Sequence, residues 1–334
     1  MKPLVLAIDG GNSKTDLALV RADGEVMALV RGPQSSPHHL GLDGCLDVLD
    51  GLLEQALAEA KIPNGNAPAA DVGALLLAGV DFPSEEDELR TAAGRRGLAS
   101  RISVGNDTFA VLRAGTECGW GVAVVCGAGI NCLGLAPDGR QARFPALGWI
   151  TGDWGGGYDV GISAVSAAAR SEDGRGDKTA LERAVPEHFG LATPTELAEA
   201  FHRGRIRERQ VVELAPVVFA EAARDPIAAG IVVHLAQEIV VLIRVALERL
   251  GLTDAPVEVV LGGGLIQSGD ERLIGAVESA LGEIAPKATV RATSSPPVVG
   301  AALLALDELQ AGAEAQARAR NELTNTFRHM EGKP

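Results

Sequence analysis

Residues 4–31 read LVLAIDGGNSKTDLALVRADGEVMALVR, and this stretch decides the fold. Leu4 to Asp9 is an apolar run ending in Asp-Gly-Gly, and Thr15 to Arg21 alternates apolar and polar residues, so two strands joined by a glycine turn are predicted. Asp23-Gly24 is a second hairpin signal ahead of a third strand, Glu25 to Arg31. Three consecutive antiparallel strands follow from this reading.

Outward from it, helical periodicity runs from about Leu42 to Ala60, Val72 to Gly79 reads as a buried strand, and a helix near Glu85 to Gly97 leads to a short strand, Arg101 to Val104. Asn106-Asp107-Thr108 opens a helical segment to about Ala114. Then the pattern restarts: strand Gly121 to Cys126, glycine turn Gly127-Ala128-Gly129, strand Asn131 to Ala136, turn Pro137-Asp138-Gly139. Repetition of strand, glycine turn, strand, turn, strand points to duplication of one unit. A chain of 334 residues also exceeds the size at which one core stops growing. We therefore expect an α/β protein of two duplicated domains, 1–116 and 117–310, joined by a hinge near 115–120, with an interdomain cleft and a charged C-terminal segment, 311–334, free to pack back on the first domain. Residues 155–250 read as mostly helical, broken at Asp173–Gly176 and Phe189-Gly190. Strands Val257 to Leu261 and Ala288 to Arg291 bracket a helix near Glu271 to Glu283, and a last helix, Val298 to Gln310, belongs to the second domain in this scheme.

Composition narrows the function. Apolar residues make up 46% and charged residues 22%, which suits packed cores. A net charge of -14 argues against wrapping nucleic acid or lying on anionic lipid, both of which need a basic surface. An anionic ligand must then be held by backbone N–H groups at turns, with a divalent cation, which suggests a nucleotide with Mg²⁺. The start of the chain enters a strand without a signal-peptide pattern, and Ile227 to Leu250, though apolar, carries His234, Gln237, Glu238, Arg244 and Glu248 and reads as a buried helix rather than a membrane span. Cys45, Cys118, Cys126 and Cys132 form neither a disulfide framework nor a C-x-x-C site, as expected of a reducing cytoplasm. Cys126 and Cys132 are expected opposite one another across the second glycine turn, as packing residues.

Three glycine segments carry the candidate chemistry. Asp9-Gly10-Gly11-Asn12-Ser13-Lys14-Thr15 lets backbone approach phosphate oxygens, adds small polar donors, and offers Asp9 to metal-bound water. It lacks the Walker pattern, and an ordinary hairpin turn is the competing reading. Gly127-Ala128-Gly129 occupies the equivalent place in the second repeat. Gly262-Gly263-Gly264, after a strand, permits flat contact with a purine or ribose, although a helix-entry loop is an equal alternative.

This series, with Ala78-Gly79-Val80-Asp81, Gly105-Asn106-Asp107-Thr108, Gly148–Gly157 (GWITGDWGGG) and Ser294–Ala302, resembles the actin-like ATPase superfamily of ribonuclease H-like fold. Within it the chain is similar to the BadF/BadG-type ATPases and their N-acetylglucosamine kinase branch, from Leu4 to about Leu306. The resemblance implies mixed central sheets flanked by helices, ATP and Mg²⁺ as cofactors, a small-molecule sugar as substrate, and a homodimer. It implies Asp107 as the catalytic base and Ser36, His38, Asn106 and Asn131 at the sugar; Asp9 is read at the metal, and Trp149 and Asp153 are read at the sugar because hydroxyls need acceptors and a sugar's C–H face stacks on aromatic rings. Local sequence leaves a second role open for Asp107, that of helix N-cap. His38 and His39 read as loop residues rather than metal ligands. Two departures bear on substrate identity. Trp154 stands where family kinases commonly carry an acid, and Ser36 and His38 stand where animal N-acetylglucosamine kinases place Asn and Trp.

The function expected is phosphorylation of an amino sugar, N-acetylglucosamine at O6, with glucosamine, another hexose or a muramic acid as alternatives. An ATPase activator of a radical dehydratase needs cluster-bridging cysteines that the sequence does not show, and a non-catalytic sensor needs a partner surface.

Overall fold

The computed structural model describes residues 2–63, 65 and 68–331. The chain begins with β1 (Leu4–Gly10), β2 (Lys14–Arg21) and β3 (Val26–Pro33), continues through α1 (Pro37–Glu59), β4 (Ala70–Leu77), α2 (Pro83–Arg96) and β5 (Ala99–Gly105), and reaches α3 (Asp107–Gly115). The repeat follows as β6 (Gly121–Cys126), β7 (Ile130–Leu135) and β8 (Gln141–Arg143). A helical stretch comes next: α4 (Gly156–Asp173), α5 (Leu181–His188), α6 (Pro194–His202), α7 (Ala215–Glu221) and α8 (Pro226–Leu250). Then come β9 (Glu258–Gly262), α9 (Gly264–Gln267), α10 (Glu271–Ile284), β10 (Thr289–Ala292), α11 (Pro297–Glu308) and α12 (Ala313–Glu331).

The strands form two five-stranded mixed sheets, ordered β3-β2-β1-β4-β5 and β8-β7-β6-β9-β10. In each, the three hairpin strands are antiparallel and the last two run parallel to the first. The duplication seen in the glycine turns is therefore a duplication of sheet topology.

Two compact units result. One runs to Trp120 and resumes at Thr293; the other is Gly121–Ala292. In the first unit the two-residue period of the strands sends Leu6, Ile8, Leu17 and Leu19 to one face, against Leu46, Leu49, Leu53 and Leu57 of α1. Val5, Ala7, Ala18 and Val20 face the other way, against Val298, Ala302 and Leu306 of α11 and Leu323 of α12. The last strictly periodic helix thus covers the first sheet, not the second as its position in the chain suggested. Its small residues explain the placement: a Cβ on Gly300 would lie 1.9 Å from the Ala110 carbonyl oxygen, so α11 crosses α3 in near backbone contact.

Helix α1 starts at Pro37, five residues before the expected start, and is interrupted at Gly41, whose φ of 71° breaks the periodicity. His38 and His39 consequently occupy its first turn rather than a loop. In the second unit α8 is, among the described residues, the one helix long and apolar enough to span a membrane. Here it lies against β6, β7, β8, α4, α7 and α10, burying Leu235, Ile239, Ile243 and Leu247.

Candidate active site

In the first unit, register alone assembles a charged row. Arg31 pairs with Asp16 across β3 and β2, Asp16 with Asp9 across β2 and β1, and Asp9 with Leu76 of β4, which in turn pairs with Gly105 of β5. Cross-strand partners share a face, so Asp9, Asp16 and Arg31 project together on the α11 side. Asp16 is buried, at 1% exposure, and both of its oxygens accept from the Arg31 fork, at 2.7 and 3.0 Å. The carboxyl of Asp9 is held well above the usual carboxylate range, first by burial, then by Asp107 and Asp16, with Lys14 and Arg31 acting against them.

One residue past the end of β5 stands Asn106, and it, not Asp107, is the N-cap of α3. Its Oδ1 accepts from the Thr108 N–H at 3.0 Å and its Nδ2 donates to Asp81 Oδ1 at 2.8 Å, with the residue only 4% exposed. Asp81 is fixed in turn, because its N–H and that of Phe82 both donate to Glu85 Oε2, at 2.8 and 2.9 Å. Asp107 is the first helical residue, part-buried, and released from the capping role that the sequence left open. Burial pushes its carboxyl up to about 6 in spite of the backbone N–H groups of Thr108 and of Asp107 itself. Such a group is ionised at neutral pH yet basic enough to take a proton.

The turn between β1 and β2 is closed by the Gly11 N–H donating to the Lys14 carbonyl at 2.9 Å, and it leaves Asn12, Ser13 and Lys14 exposed. Gly10 is buried at the end of β1, its carbonyl accepting from the Ala78 N–H at 2.7 Å. Two residues expected at phosphate are engaged elsewhere. Thr15 is buried and its hydroxyl donates to the Pro33 carbonyl and reaches Ser35 Oγ, at 2.7 and 2.8 Å, while the ammonium of Lys14 lies 5.9 Å from the Phe327 ring. Ser36 precedes α1 at the capping position but does not cap it, and its buried hydroxyl has no hydrogen-bond partner among the described residues. It lies beside Gly79, where an added Cβ would stand 2.7 Å from Ser36 Oγ and 2.9 Å from His38 Cβ. Ser36, His38 and the Gly79–Asp81 loop are thus brought together.

In the second unit the glycine segments converge on one another. The N–H groups of Gly157 and Tyr158, at the start of α4, donate to the carbonyls of Gly127 and Ala128 at 2.8 and 2.9 Å. Gly156, at φ 76°, and Gly263, at φ 94°, both adopt backbone that L side chains rarely take, and a Cβ on either would strike backbone, 2.5 Å from Gly129 or 2.4 Å from the Cys126 oxygen. The turn itself stays open: Ala128 and Gly129 are exposed and nothing crowds a Cβ on Gly127 or Gly129. Gly262 differs from expectation, being a buried strand residue paired with Val125, while Gly264 opens the short α9.

Asn131 lies on β7, its Oδ1 accepting from the Cys132 N–H at 2.7 Å. Asp153 sits in the loop before α4, accepting from Thr151 Oγ1 at 2.6 Å and the Gly148 N–H at 3.1 Å. Trp149 of the same loop is 90% exposed. Trp154 stacks on His234 of α8, ring centroids 3.9 Å apart. The sequence reading missed Asp159, whose Oδ2 accepts from the Gly155 N–H at 3.0 Å and whose carboxyl is raised by burial and by Asp153; its place in the first turn of α4 was the available signal. Cys126 and Cys132 are buried and unbridged, and they are not directly opposite, since Cys126 pairs with Ile130 and Cys132 with Val124.

No group of three or more His, Cys, Asp or Glu side chains arranged to hold a metal occurs among the described residues. Mg²⁺ does not need one, because it keeps several waters and binds through one or two carboxylates plus phosphate. Asp107 and Asp16 both disfavour charge on the Asp9 carboxyl, a penalty that a divalent cation relieves, so Asp9 fits an Mg²⁺ ion held mainly by water and phosphate.

A family model described as the BadF/BadG/BcrA/BcrD ATPase family matches residues 6–305. The chain is 29% identical over 265 residues to an N-acetylmuramic acid/N-acetylglucosamine kinase of Clostridium acetobutylicum, covering 79% of this chain and 86% of that protein. It is 27% identical over 315 residues to an N-acetyl-D-glucosamine kinase of Dictyostelium discoideum, covering 92% and 98%. Among solved structures, a candidate N-acetylglucosamine kinase from Chromobacterium violaceum superposes with a TM-score of 0.71 at 25% identity, over 91% of this chain and 99% of that one.

Proposed function

The chain belongs to the BadF/BadG/BcrA/BcrD ATPase family, and from that premise we propose that it is an ATP-dependent amino-sugar kinase that phosphorylates N-acetylglucosamine at O6. The observation that carries the reading is Asp107: a carboxylate raised to about 6, at the start of a helix, with its backbone fixed by the Asp81–Asn106 hydrogen bond.

In the reaction the sugar hydroxyl gives its proton to the Asp107 carboxylate, its oxygen bonds to the γ-phosphorus of ATP, and the bond from that phosphorus to the bridging oxygen breaks, releasing ADP. Asp9 would hold Mg²⁺, which would supply neutralisation of the charge on the nucleotide phosphates. Backbone N–H groups of the 11–13 turn are donors for phosphate oxygens, and the open Gly127–Gly129 turn of the second unit offers donors of the same kind. Asp153, oriented by Thr151 and Gly148, accepts from sugar hydroxyls. The unpartnered Ser36 hydroxyl, with His38 beside it, is matched to a polar group of the substrate. Positioning contributes roughly 7 to 11 kcal/mol and the base about 100- to 10,000-fold.

The Clostridium relative, named for both sugars, favours N-acetylmuramic acid as a second substrate. An ADP-release screen over hexoses, hexosamines, their N-acetyl forms and muramic acids tests the reading. Sugar-stimulated release confined to N-acetylated hexosamines is expected; release independent of every sugar would overturn it.

A further inference from the structure

The row of charges on the first sheet extends beyond Asp9 to the far end of the chain. Asp16 faces the same side as Ala18 and Val20, where packing alone calls for an apolar residue, yet it is a buried acid directly across from Asp9. Arg31 occupies both of its oxygens. The guanidinium lies 4.7 Å and the Lys14 ammonium 5.9 Å from the centroid of the Phe327 ring, so one aromatic side chain of α12 stands over both cations that act on Asp9. Helix α12 is tied to this row at two further places. Glu322 Oε2 accepts from the Val26 N–H, at the start of the strand bearing Arg31, at 2.9 Å. Arg320 donates to the carbonyls of Arg113 and Thr116, each at 3.3 Å, and to that of Ala114, at the C-terminal end of the helix that begins with Asp107.

We infer that Asp16, Arg31 and Phe327 are positioning residues for metal-dependent nucleotide binding: the Asp16–Arg31 pair, clamped beneath Phe327, sets the carboxylate of Asp9 from the β2 side and makes docking of α12 a condition for the site. The inference rests on the reading of Asp9 as the Mg²⁺ residue. A pair that served stability alone would alter melting and leave the Mg²⁺ dependence of nucleotide binding unchanged. A positioning pair alters the metal-dependent part selectively, as partners behind a metal ligand do.

The test is calorimetric titration of ADP into the full chain, with Mg²⁺ and with EDTA, for wild type, Arg31→Gln, Arg31→Lys, Phe327→Leu and Asp9→Asn, alongside N-acetylglucosamine titrations and melting curves. Arg31→Gln should weaken Mg²⁺-dependent ADP binding by about 10- to 100-fold while leaving EDTA-state ADP binding and sugar binding within about twofold. Arg31→Lys should recover part of the loss, because it keeps the charge but not the bidentate fork. Phe327→Leu should fall between wild type and Arg31→Gln; together with Arg31→Lys it carries the test if Arg31→Gln fails to fold. Variants that melt lower but keep the full Mg²⁺ enhancement overturn the positioning role. If Asp9→Asn also keeps it, the premise about Asp9 falls as well; if Asp9→Asn alone loses it, only the inference about Arg31 and Phe327 falls.

Discussion

Asp107→Asn should make the protein more stable while disabling it. Burial disfavours the charge of the folded-state carboxyl and pushes it up to about 6, from an ordinary value of 3.8. A group raised in the folded state favours folding while protonated, and the advantage is lost as pH rises through the folded value. At pH 7 the carboxylate is charged in both states, and the shift from 3.8 to about 6 corresponds to an opposition to folding of about 3 kcal/mol. Asn keeps the shape and one acceptor for the Thr108 N–H but carries no charge. The variant should therefore gain between about 1 and 3 kcal/mol at pH 7 and only about half a kcal/mol at pH 4, where the wild-type group is protonated when folded. Urea unfolding of both proteins at the two pH values gives the difference directly. Turnover should fall by about 100- to 10,000-fold. An Asn variant no more stable at pH 7 than wild type, or equally stabilised at both pH values, would refute the argument that burial tunes this carboxyl. Turnover within about tenfold of wild type would refute its role as base.

The same group sets an acid limb on catalysis: kcat/KM for the sugar should fall about tenfold per unit below pH about 6, and a pH-rate profile flat to pH 5 would exclude Asp107 as the titrating base. Asp81→Ala frees the Nδ2 side of Asn106, so it should lower kcat with little change in KM for ATP and cost about 1 to 3 kcal/mol of stability, with Asp81→Asn retaining much of both; steady-state kinetics and urea titration report the two effects. Gly300→Ala drives a methyl to 1.9 Å from the Ala110 carbonyl oxygen and should destabilise the first unit by about 1 to 3 kcal/mol or more, visible as a lowered unfolding midpoint.

Much of this architecture was legible because strand period and glycine punctuation are local signals. The hairpin opening of each half, the strand positions and the helix after Asn106 follow from spacing alone. Elements whose placement depends on distant partners were not legible. The apolar, small-residue sequence of α11 suits either sheet, and only the fit of Gly300 against Ala110 assigns it to the first. The Asp16–Arg31 pair depends on the register of β2 on β3. Its cover, Phe327, comes from almost the other end of the chain. Trp154 was singled out as a departure from the family pattern, yet its stacking partner His234 is 80 positions away in sequence and gives no local signal. At Asn106-Asp107 both residues suit a helix cap, and only the structure shows that Asn106 takes the role and that Asp107 is the first helical residue.

The central claim is phosphoryl transfer to the sugar with Asp107 as base. Phosphorus NMR of a mixture of protein, ATP, Mg²⁺ and N-acetylglucosamine tests it most directly, run in parallel with Asp107→Asn. The account predicts a new phosphomonoester resonance coupled to the C6 protons of the sugar, growing as ADP appears, and absent with Asp107→Asn over the same period. ADP accompanied only by inorganic phosphate, or a sugar phosphate formed equally fast by the Asn variant, would contradict it.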